Sequence, residues 1–249
     1  MYSIRQENMR NYIEEKNVVT IKELQALFPE ISLMTIHRDL DALERAGTVV
    51  KIRGGAKSVR HDGDVEFNIR MNANNSGKNV MARKALELLQ PHSAIFLDAS
   101  TTNLALAQAL PDINLNIFTT GPSIALELCR LHNPVVTLCC GTMNRKNLAL
   151  SGQNTLQMLE NINIDMAFIG VSGCSVDAGF TCGTEGDMLV KRMVIQKART
   201  SVLMCGRDKL KCLMPYTFAK FQDVDYLISD EPMPDDFVQA AEAAGVVLL

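Results

Sequence analysis

From Lys78 onward, apolar runs of strand length alternate with helical segments, and that alternation leaves few folds open. The runs fall at 94–98, 115–120, 135–141, 166–171, 201–206, 225–230 and 246–249. Helical patterns lie between them, at about 78–90, 102–110, 122–132, 152–161, 185–199 and 234–244. Strands nearly continuous in Val, Ile, Leu and Phe are buried on both faces, and intervening helices supply the crossovers that parallel strands need. The expected fold class is α/β, a mostly parallel sheet covered by helices. In such a sheet small ligands bind beyond the carboxyl ends of the strands.

The loops leaving those ends share a composition. The first runs Asp98-Ala99-Ser100-Thr101-Thr102 into a helix, and the second Thr119-Thr120-Gly121-Pro122 into another. The next end in Cys140-Gly141, Ile169-Gly170, Gly206-Arg207-Asp208-Lys209 and Ser229-Asp230. Hydroxyls, glycines and a lysine on one rim suit a phosphate or a sugar hydroxyl. Such groups need amide donors at a helix start, hydroxyl donors and a cation. The candidate ligand-binding residues are Asp98, Ser100, Thr101, Thr102, Thr119, Thr120, Gly141, Gly170 and Lys209. Each also has an ordinary reading: Ser100 or Thr102 as a helix cap, Asp98 as a carboxylate bonded to loop amides, the glycines as turns, Lys209 as a solvated side chain. The convergence is the signal.

The first 60 residues follow another plan. Thr20-Ile21-Lys22-Glu23 is a capping box, and Ile21, Leu24 and Leu27 make the inner face of the helix it starts, with Pro29 preventing a long continuation. A first helix over 3–16 is expected to bury Ile4, Met9 and Ile13. Ser32 caps a third helix, over 32–46, in which Ile36, Leu40 and Leu43 form one apolar stripe at i, i+4 and i+7. At about 100° per residue, Met34, Arg38, Asp41 and Arg45 point away from that stripe, with His37 beside them. Gly47 is the expected stop, because glycine enters the left-handed conformation past a helix end at no steric cost. Val49, Lys51 and Arg53 then alternate with Val50 and Ile52, and Gly54-Gly55 supplies a tight turn. Three short helices and a basic ribbon make a winged helix-turn-helix over residues 1–57, its third helix suited to the major groove of duplex DNA. Residues 58–76, polar and without sustained apolar period, read as a linker, and 77–249 as the second domain.

Charge supports this modestly. Residues 1–60 hold ten Lys/Arg and eight Asp/Glu, a balance of +2, while the whole chain is −3 and the remainder therefore −5. From Thr48 to Arg60 there are four basic residues and no acidic ones. Such a local footprint is what phosphate affinity depends on, since each neutralised phosphate releases counterions. The seven cysteines (129, 139, 140, 174, 182, 205 and 212) are odd in number, form no CxxC pair and lie mostly in apolar runs. They read as reduced thiols, mostly buried. The four histidines (37, 61, 92 and 132) have no zinc-ligand spacing, so no metal is expected. No apolar run approaches the roughly 20 residues needed to cross a bilayer. The start, MYSIRQENMRNY, lacks the apolar core of a signal peptide, so a cytoplasmic protein is expected.

Residues 32–56, SLMTIHRDLDALERAGTVVKIRGGA, resemble the signature of the DeoR family of bacterial repressors: a serine, then Thr-Ile-Arg-Arg-Asp-Leu, a helix end, and Arg-x-Gly-Gly-Ala. His37 stands where the first arginine is usual, which removes a permanent cation and a bidentate fork. Glu66-Phe67-Asn68-Ile69-Arg70 resembles a Phe-x-x-Arg element that follows the wing. The second domain resembles the family's sensor domain over nearly its whole length. Asp98-Ala-Ser-Thr-Thr102 stands for Asp-x-Gly-Thr-Thr, Thr119-Thr120 for Thr-Asn, Cys140-Gly141 for Gly-Gly and Ser229-Asp230 for Thr-Asp. Phe168-Ile169-Gly170 is kept, a later glutamate and lysine match Glu185 and Lys191, and Lys209 keeps the lysine of Asp-x-x-Lys. The resemblance implies a sensor fold like that of ribose-5-phosphate isomerase, with a phosphorylated sugar as effector.

The expected function is thus a DNA-binding transcriptional regulator, a repressor of sugar-metabolism genes modulated by a phosphorylated sugar, and not an enzyme. Its candidate DNA-binding residues are Ser32, Thr35, His37, Arg38, Lys51, Arg53, Gly54 and Gly55. Arg38 and His37 would reach base edges, Thr35 and Lys51 phosphates, and Arg53 would make the wing's contact. One winged helix covers few base pairs, so a homodimer or homotetramer is expected. The alternative is a sugar-phosphate isomerase-like enzyme with an appended nucleic-acid-binding domain, in which Asp98 or Glu185 would act as base and Lys209 as electrophile.

Overall fold

A computed structural model describes residues 3–45, 48–58 and 66–249. The Gly47 helix stop, His61 and residues 59–65 of the expected linker lie outside the described residues. The chain divides into two compact units, Met1–Asn75 and Ser76–Leu249.

The N-terminal unit contains α1 (Ile4–Lys16), β1 (Val18–Thr20), α2 (Ile21–Leu27), α3 (Leu33–Arg45), β2 (Val49–Ile52), β3 (Gly55–Ser58) and α4 (Phe67–Asn72). Ser3 with Gln6 and Thr20 with Glu23 form capping boxes that satisfy the free amides at the starts of α1 and α2. Met9, Ile13, Leu24, Ile36, Leu40 and Leu43 are fully buried together with Val49 and Ala56. Each such side chain contributes about 1.5–3 kcal/mol relative to exposure, so the α3 stripe is the axis of this small core. Ile4 departs from expectation, being 82% exposed. Five residues from Met9, it stands roughly 140° around the helix from the buried stripe. The sheet order is β1-β3-β2, all antiparallel. Strand β1 escapes a reading of periodicity because three residues carry no alternation. Helix α4 lies inside the segment expected as linker.

The second unit begins with α5 (Asn75–Leu86) and continues β4 (Ala94–Leu97), α6 (Thr101–Ala109), β5 (Asn116–Thr119), α7 (Pro122–Leu128), β6 (Val135–Leu138), β7 (Thr142–Met143), β8 (Leu150–Ser151) and α8 (Gln153–Glu160). There follow β9 (Ile164–Gly170), β10 (Gly173–Ser175), β11 (Gly179–Cys182), α9 (Glu185–Lys197), β12 (Ala198–Met204), β13 (Tyr216–Ala219), β14 (Tyr226–Ile228), α10 (Asp235–Ala244) and β15 (Val247–Leu248). The main sheet has seven parallel strands in the order β15-β14-β12-β9-β4-β5-β6, one for each apolar run read from the sequence. Two additions were not foreseen: the β7–β8 hairpin and an antiparallel β10-β11-β13 sheet. The core includes Phe96, Ala167, Ile169, Leu203 and Leu227 from the central strands, and Phe180, Phe218, Phe221 and Phe237 around them.

The order of strands locates the site. From β4 the chain moves outward through β5 to β6, then returns to lay β9 on the other side of β4 and continues through β12 to β14 and β15. Strands β4 and β9 therefore flank the topological switch point, the place where ligands bind in sheets of this kind.

Candidate functional site

The N-terminal unit presents a cationic face. Ser32 Oγ accepts from the Thr35 amide at 3.2 Å and lies 3.0 Å from the Thr35 hydroxyl, which fixes the start of α3. Met34 is 77% exposed, and Arg38, Arg45 and Arg53 are also exposed, with Thr35 and His37 partly so. Among the described residues, Arg38 and Arg53 have no carboxylate partner. Lys51 is held differently. Its ammonium pairs with Asp41 and its amide donates to Glu44 Oε1 at 2.7 Å, so α3 grips the wing. The Lys51 hydrogen bond holds the Asp41 carboxyl below its usual range. Gly54, with φ of +83°, makes the turn, and Gly55 is buried where a Cβ would lie 2.0 Å from the Val19 carbonyl oxygen. Its place in the wing is set by packing.

Asp39 plays a part that sequence reading missed. It is 1% exposed, receiving Arg5 Nε at 2.6 Å and Nη2 at 3.3 Å, and Gln6 Nε2 at 3.0 Å. The bond to Asp39 raises the Arg5 pKa. Thus the Thr-Ile-His-Arg-Asp-Leu run alternates an outward arginine with an inward aspartate that locks α3 to α1. An acidic residue within an apolar stripe, with an arginine in a neighbouring helix, was the signal available.

At the sheet's switch point Asp98 is the hub. It is 2% exposed, and all its acceptor capacity is directed at the protein. Oδ1 accepts from Ser100 N–H (3.1 Å) and Asn103 Nδ2 (2.7 Å), while Oδ2 accepts from Gly170 N–H (3.0 Å) and faces Lys191 Nζ at 3.2 Å. Lys191 also meets Asp187 at 3.1 Å and donates to the Gly170 carbonyl at 2.8 Å. Burial opposes its charge, but Asp187 and Asp98 outweigh that and hold its pKa well above the usual lysine value. Sequence reading had Lys191 only as a family match and lacked Asn103 altogether. Asn103 also donates to the Phe168 carbonyl at 2.7 Å, while its buried Oδ1 has no partner among the described residues.

This hub shapes the start of α6. Ser100 Oγ accepts from Asn103 N–H at 3.1 Å as the cap. The first two helical amides, Thr101 and Thr102, have no intrahelical acceptor, and their hydroxyls flank them. Gly170 permits the arrangement, because a Cβ there would stand 2.3 Å from Ser100 Cβ. On β5, Thr119 Oγ1 accepts from Gly121 N–H at 3.0 Å, and both Thr119 and Thr120 are buried. Gly141, with φ of +146°, lies where a Cβ would be 2.1 Å from Thr155 Oγ1. Lys209 has its ammonium 2.8 Å from Asp208. The candidates Asp98, Ser100, Thr101, Thr119, Thr120 and Gly170 are therefore all buried, and of the helix start Thr102 alone is partly exposed.

None of the seven cysteines is in a disulfide: 139, 174, 182 and 205 are buried, whereas 129 and 140 are exposed. Burial pushes the Cys139 thiol up to about 11. No group of His, Cys, Asp and Glu among the described residues is arranged to hold a metal ion. No helix among them is long and apolar enough to cross a membrane.

Known proteins resemble the chain in both units. Residues 5–62 match the DeoR-like helix-turn-helix domain, and residues 73–231 the DeoR C terminal sensor domain. The HTH-type transcriptional regulator GlpR of Haloferax volcanii is 31% identical, over 88% of this chain and 86% of its own. The HTH-type transcriptional repressor GlcR of Bacillus subtilis is 28% identical, over 96% and 92%. Among solved structures, ribose 5-phosphate isomerase A of Methanocaldococcus jannaschii aligns with a TM-score of 0.40 and 16% identity, over 53% of each chain.

Proposed function

The chain belongs to the DeoR family of HTH-type transcriptional regulators, and from that premise we propose that it is a repressor whose hold on operator DNA responds to a phosphorylated sugar. One observation carries the reading. A single chain joins a helix that presents Arg38 to solvent, with no carboxylate partner among the described residues, and a parallel sheet whose switch point frames a hydroxyl-lined helix start.

On DNA, α3 enters the major groove with Arg38 at base edges and His37 beside it, while Ser32 and Thr35 set the helix start against the backbone. Arg53 at the turn carries the wing's contact. Lys51, gripped by Asp41, orients the wing and adds a phosphate contact only when that pair opens. In the sensor, the amides and hydroxyls of Thr101 and Thr102 receive the phosphoryl group, where the helix dipole favours an anion. Asp98 and Lys191 keep that helix start in place. Asp98 is thereby unsuited to the base of an isomerase, since a general base must be free to accept a substrate's proton. Two or four chains joined through their sensor units present paired heads to paired half-sites. The sugar shifts the balance between arrangements only by its differential affinity for them.

The test is DNA binding to the region upstream of the protein's own gene at fixed salt, with and without a panel of pentose and hexose monophosphates. Specific binding that one panel member weakens supports the reading. Binding indistinguishable from that to scrambled DNA refutes the repressor, and turnover of a panel member revives the isomerase.

A further inference from the structure

We propose that the β7–β8 hairpin supplies the cationic side chains for the effector's phosphoryl group, through Arg145 and Lys146. This rests on the sensor rim being the effector site, and it departs from Lys209 as the cation there.

Charge at the rim motivates it. A phosphorylated ligand carries about −1.5 to −2 charge near neutral pH, yet the cations that the strand ends and α9 place there are each committed to a carboxylate. Lys191 lies between Asp98 and Asp187 at 3.2 and 3.1 Å, Lys209 is 2.8 Å from Asp208, and Arg207 Nη1 is 3.2 Å from Glu231. An incoming phosphate at any of them meets a cation already facing a carboxylate. Arg145 and Lys146 differ: both are exposed, and neither side chain has a hydrogen bond or ion pair among the described residues.

Their hairpin is fastened to the rim. It leaves the end of β6 through Gly141, and Leu150 N–H donates to the Thr120 carbonyl at 2.9 Å. Gly121, next to Thr120, packs so closely on Ala99 that a Cβ would lie 3.0 Å from Ala99 Cα, and Ala99 adjoins the α6 cap. On the other flank Ser151 Oγ would be 2.5 Å from a Cβ at Gly186, at the start of α9. The β5 end, the α6 cap and the hairpin are thus consecutive neighbours.

The turn itself is rigid, which lowers the entropy lost when its side chains engage a ligand. Asn144 N–H donates to the Ala149 carbonyl and Leu148 N–H to the Asn144 carbonyl, both at 2.9 Å. Asn144 Oδ1 takes the Lys146 amide at 2.8 Å, and buried Asn147 takes the Ala149 amide at 3.1 Å. Leu148 adopts a φ of +54°, completing a tight turn that displays the two cations at its tip. The arginine offers a planar fork for two phosphate oxygens and the lysine a point charge. They lie between the apolar run 135–141 and the helical pattern 152–161, in a stretch that no sequence motif marks.

The experiment is thermal melting of the full chain with inorganic phosphate and, separately, with the monophosphate panel, for wild type, Arg145→Ala/Lys146→Ala and Lys209→Ala. Both hairpin side chains are exposed, so the double variant should melt with wild type when no ligand is present. The proposal predicts at least tenfold weaker phosphate binding in the double variant, and a smaller loss in Lys209→Ala. Equal binding by wild type and double variant overturns the hairpin assignment while the effector site stands. A larger loss in Lys209→Ala also overturns it. If neither phosphate nor any panel member stabilises wild type, the effector reading itself fails and takes this inference with it. Stabilisation by sugar phosphates but not by inorganic phosphate, lost in the double variant, supports the hairpin and assigns part of the affinity to the sugar.

Discussion

Replacing Lys191 by methionine tests the frame of the sensor site. Methionine retains much of the lysine stem's apolar volume and removes the ammonium. Three contacts disappear together: Asp98 Oδ2 at 3.2 Å, Asp187 Oδ2 at 3.1 Å and the Gly170 carbonyl at 2.8 Å. Breaking a buried ion pair from one side costs about 3–5 kcal/mol, because the other charge stays buried. The two carboxylates are not equal in this respect. The Asp187 side chain is 16% exposed and can rehydrate, whereas that of Asp98, at 2%, cannot. Asp98 keeps three donors, however, from Ser100, Asn103 and Gly170, so its oxygens are not left without hydrogen bonds. The cost should therefore sit near the lower bound, about 3 kcal/mol. For a unit of this size that is a fall in Tm of roughly 6–12 °C. Calorimetry at neutral pH should find the same fall at about 0.1 M and about 1 M salt, since buried charges are screened little.

The pH dependence gives a second reading of the same group. A lysine whose folded-state pKa is raised contributes fully below its unfolded value, about 10.4, and loses the contribution as pH rises through the folded value. Wild type should therefore lose stability more steeply than Lys191→Met once pH exceeds about 10.4. A fall in Tm under about 2 °C, or one that vanishes in high salt, would place the pair among exposed surface bridges of about 0–1 kcal/mol. That result would refute the reasoning.

In the DNA-binding unit, Arg5→Ala leaves Asp39 buried with Gln6 as its remaining side-chain donor. Arg5 is itself about one-third exposed, so the expected loss is moderate, about 2 kcal/mol by chemical denaturation; no change would show that Asp39 does not lock α3 to α1. At the sensor, Gly170→Ala drives a methyl to 2.3 Å from Ser100 Cβ and 2.4 Å from its Oγ. Overpacking of this kind costs about 1–3 kcal/mol, and the displaced cap should abolish melting shifts by sugar phosphates. A variant that keeps the full shift would show that the α6 start does not hold the phosphate.

The parts of this fold written in periodicity could be read from the chain. All seven parallel strands announce themselves as apolar runs of strand length, the partly exposed edge strands β6 and β15 included, and the α3 stripe because Ile36, Leu40 and Leu43 recur at helical spacing. Strands β1, β7, β8 and β10, of two or three residues each, belong to none of the seven apolar runs and are too short to show a period of their own. The site was legible in composition but not in allegiance. Sequence brought Asp98, Ser100, Thr101, Thr102 and Gly170 to one rim, but only geometry could show that Asp98 faces inward to Asn103, Gly170 and Lys191. The same holds for cations: Lys51 and Lys209 look available in a sequence, and each has a carboxylate beside it in the fold.

We propose that α3 reads DNA through Arg38. Fluorescence anisotropy of wild type and Arg38→Ala, on a duplex from the gene's upstream region and on a scrambled duplex at the same salt, tests it most directly. A good bidentate base contact contributes roughly 1–3 kcal/mol of discrimination, or about 5–150-fold. Arg38→Ala should lose affinity within that range on the upstream duplex and much less on the scrambled one, with its unliganded melting unchanged because the side chain is exposed. Equal affinity of the two proteins for the upstream duplex would contradict the account.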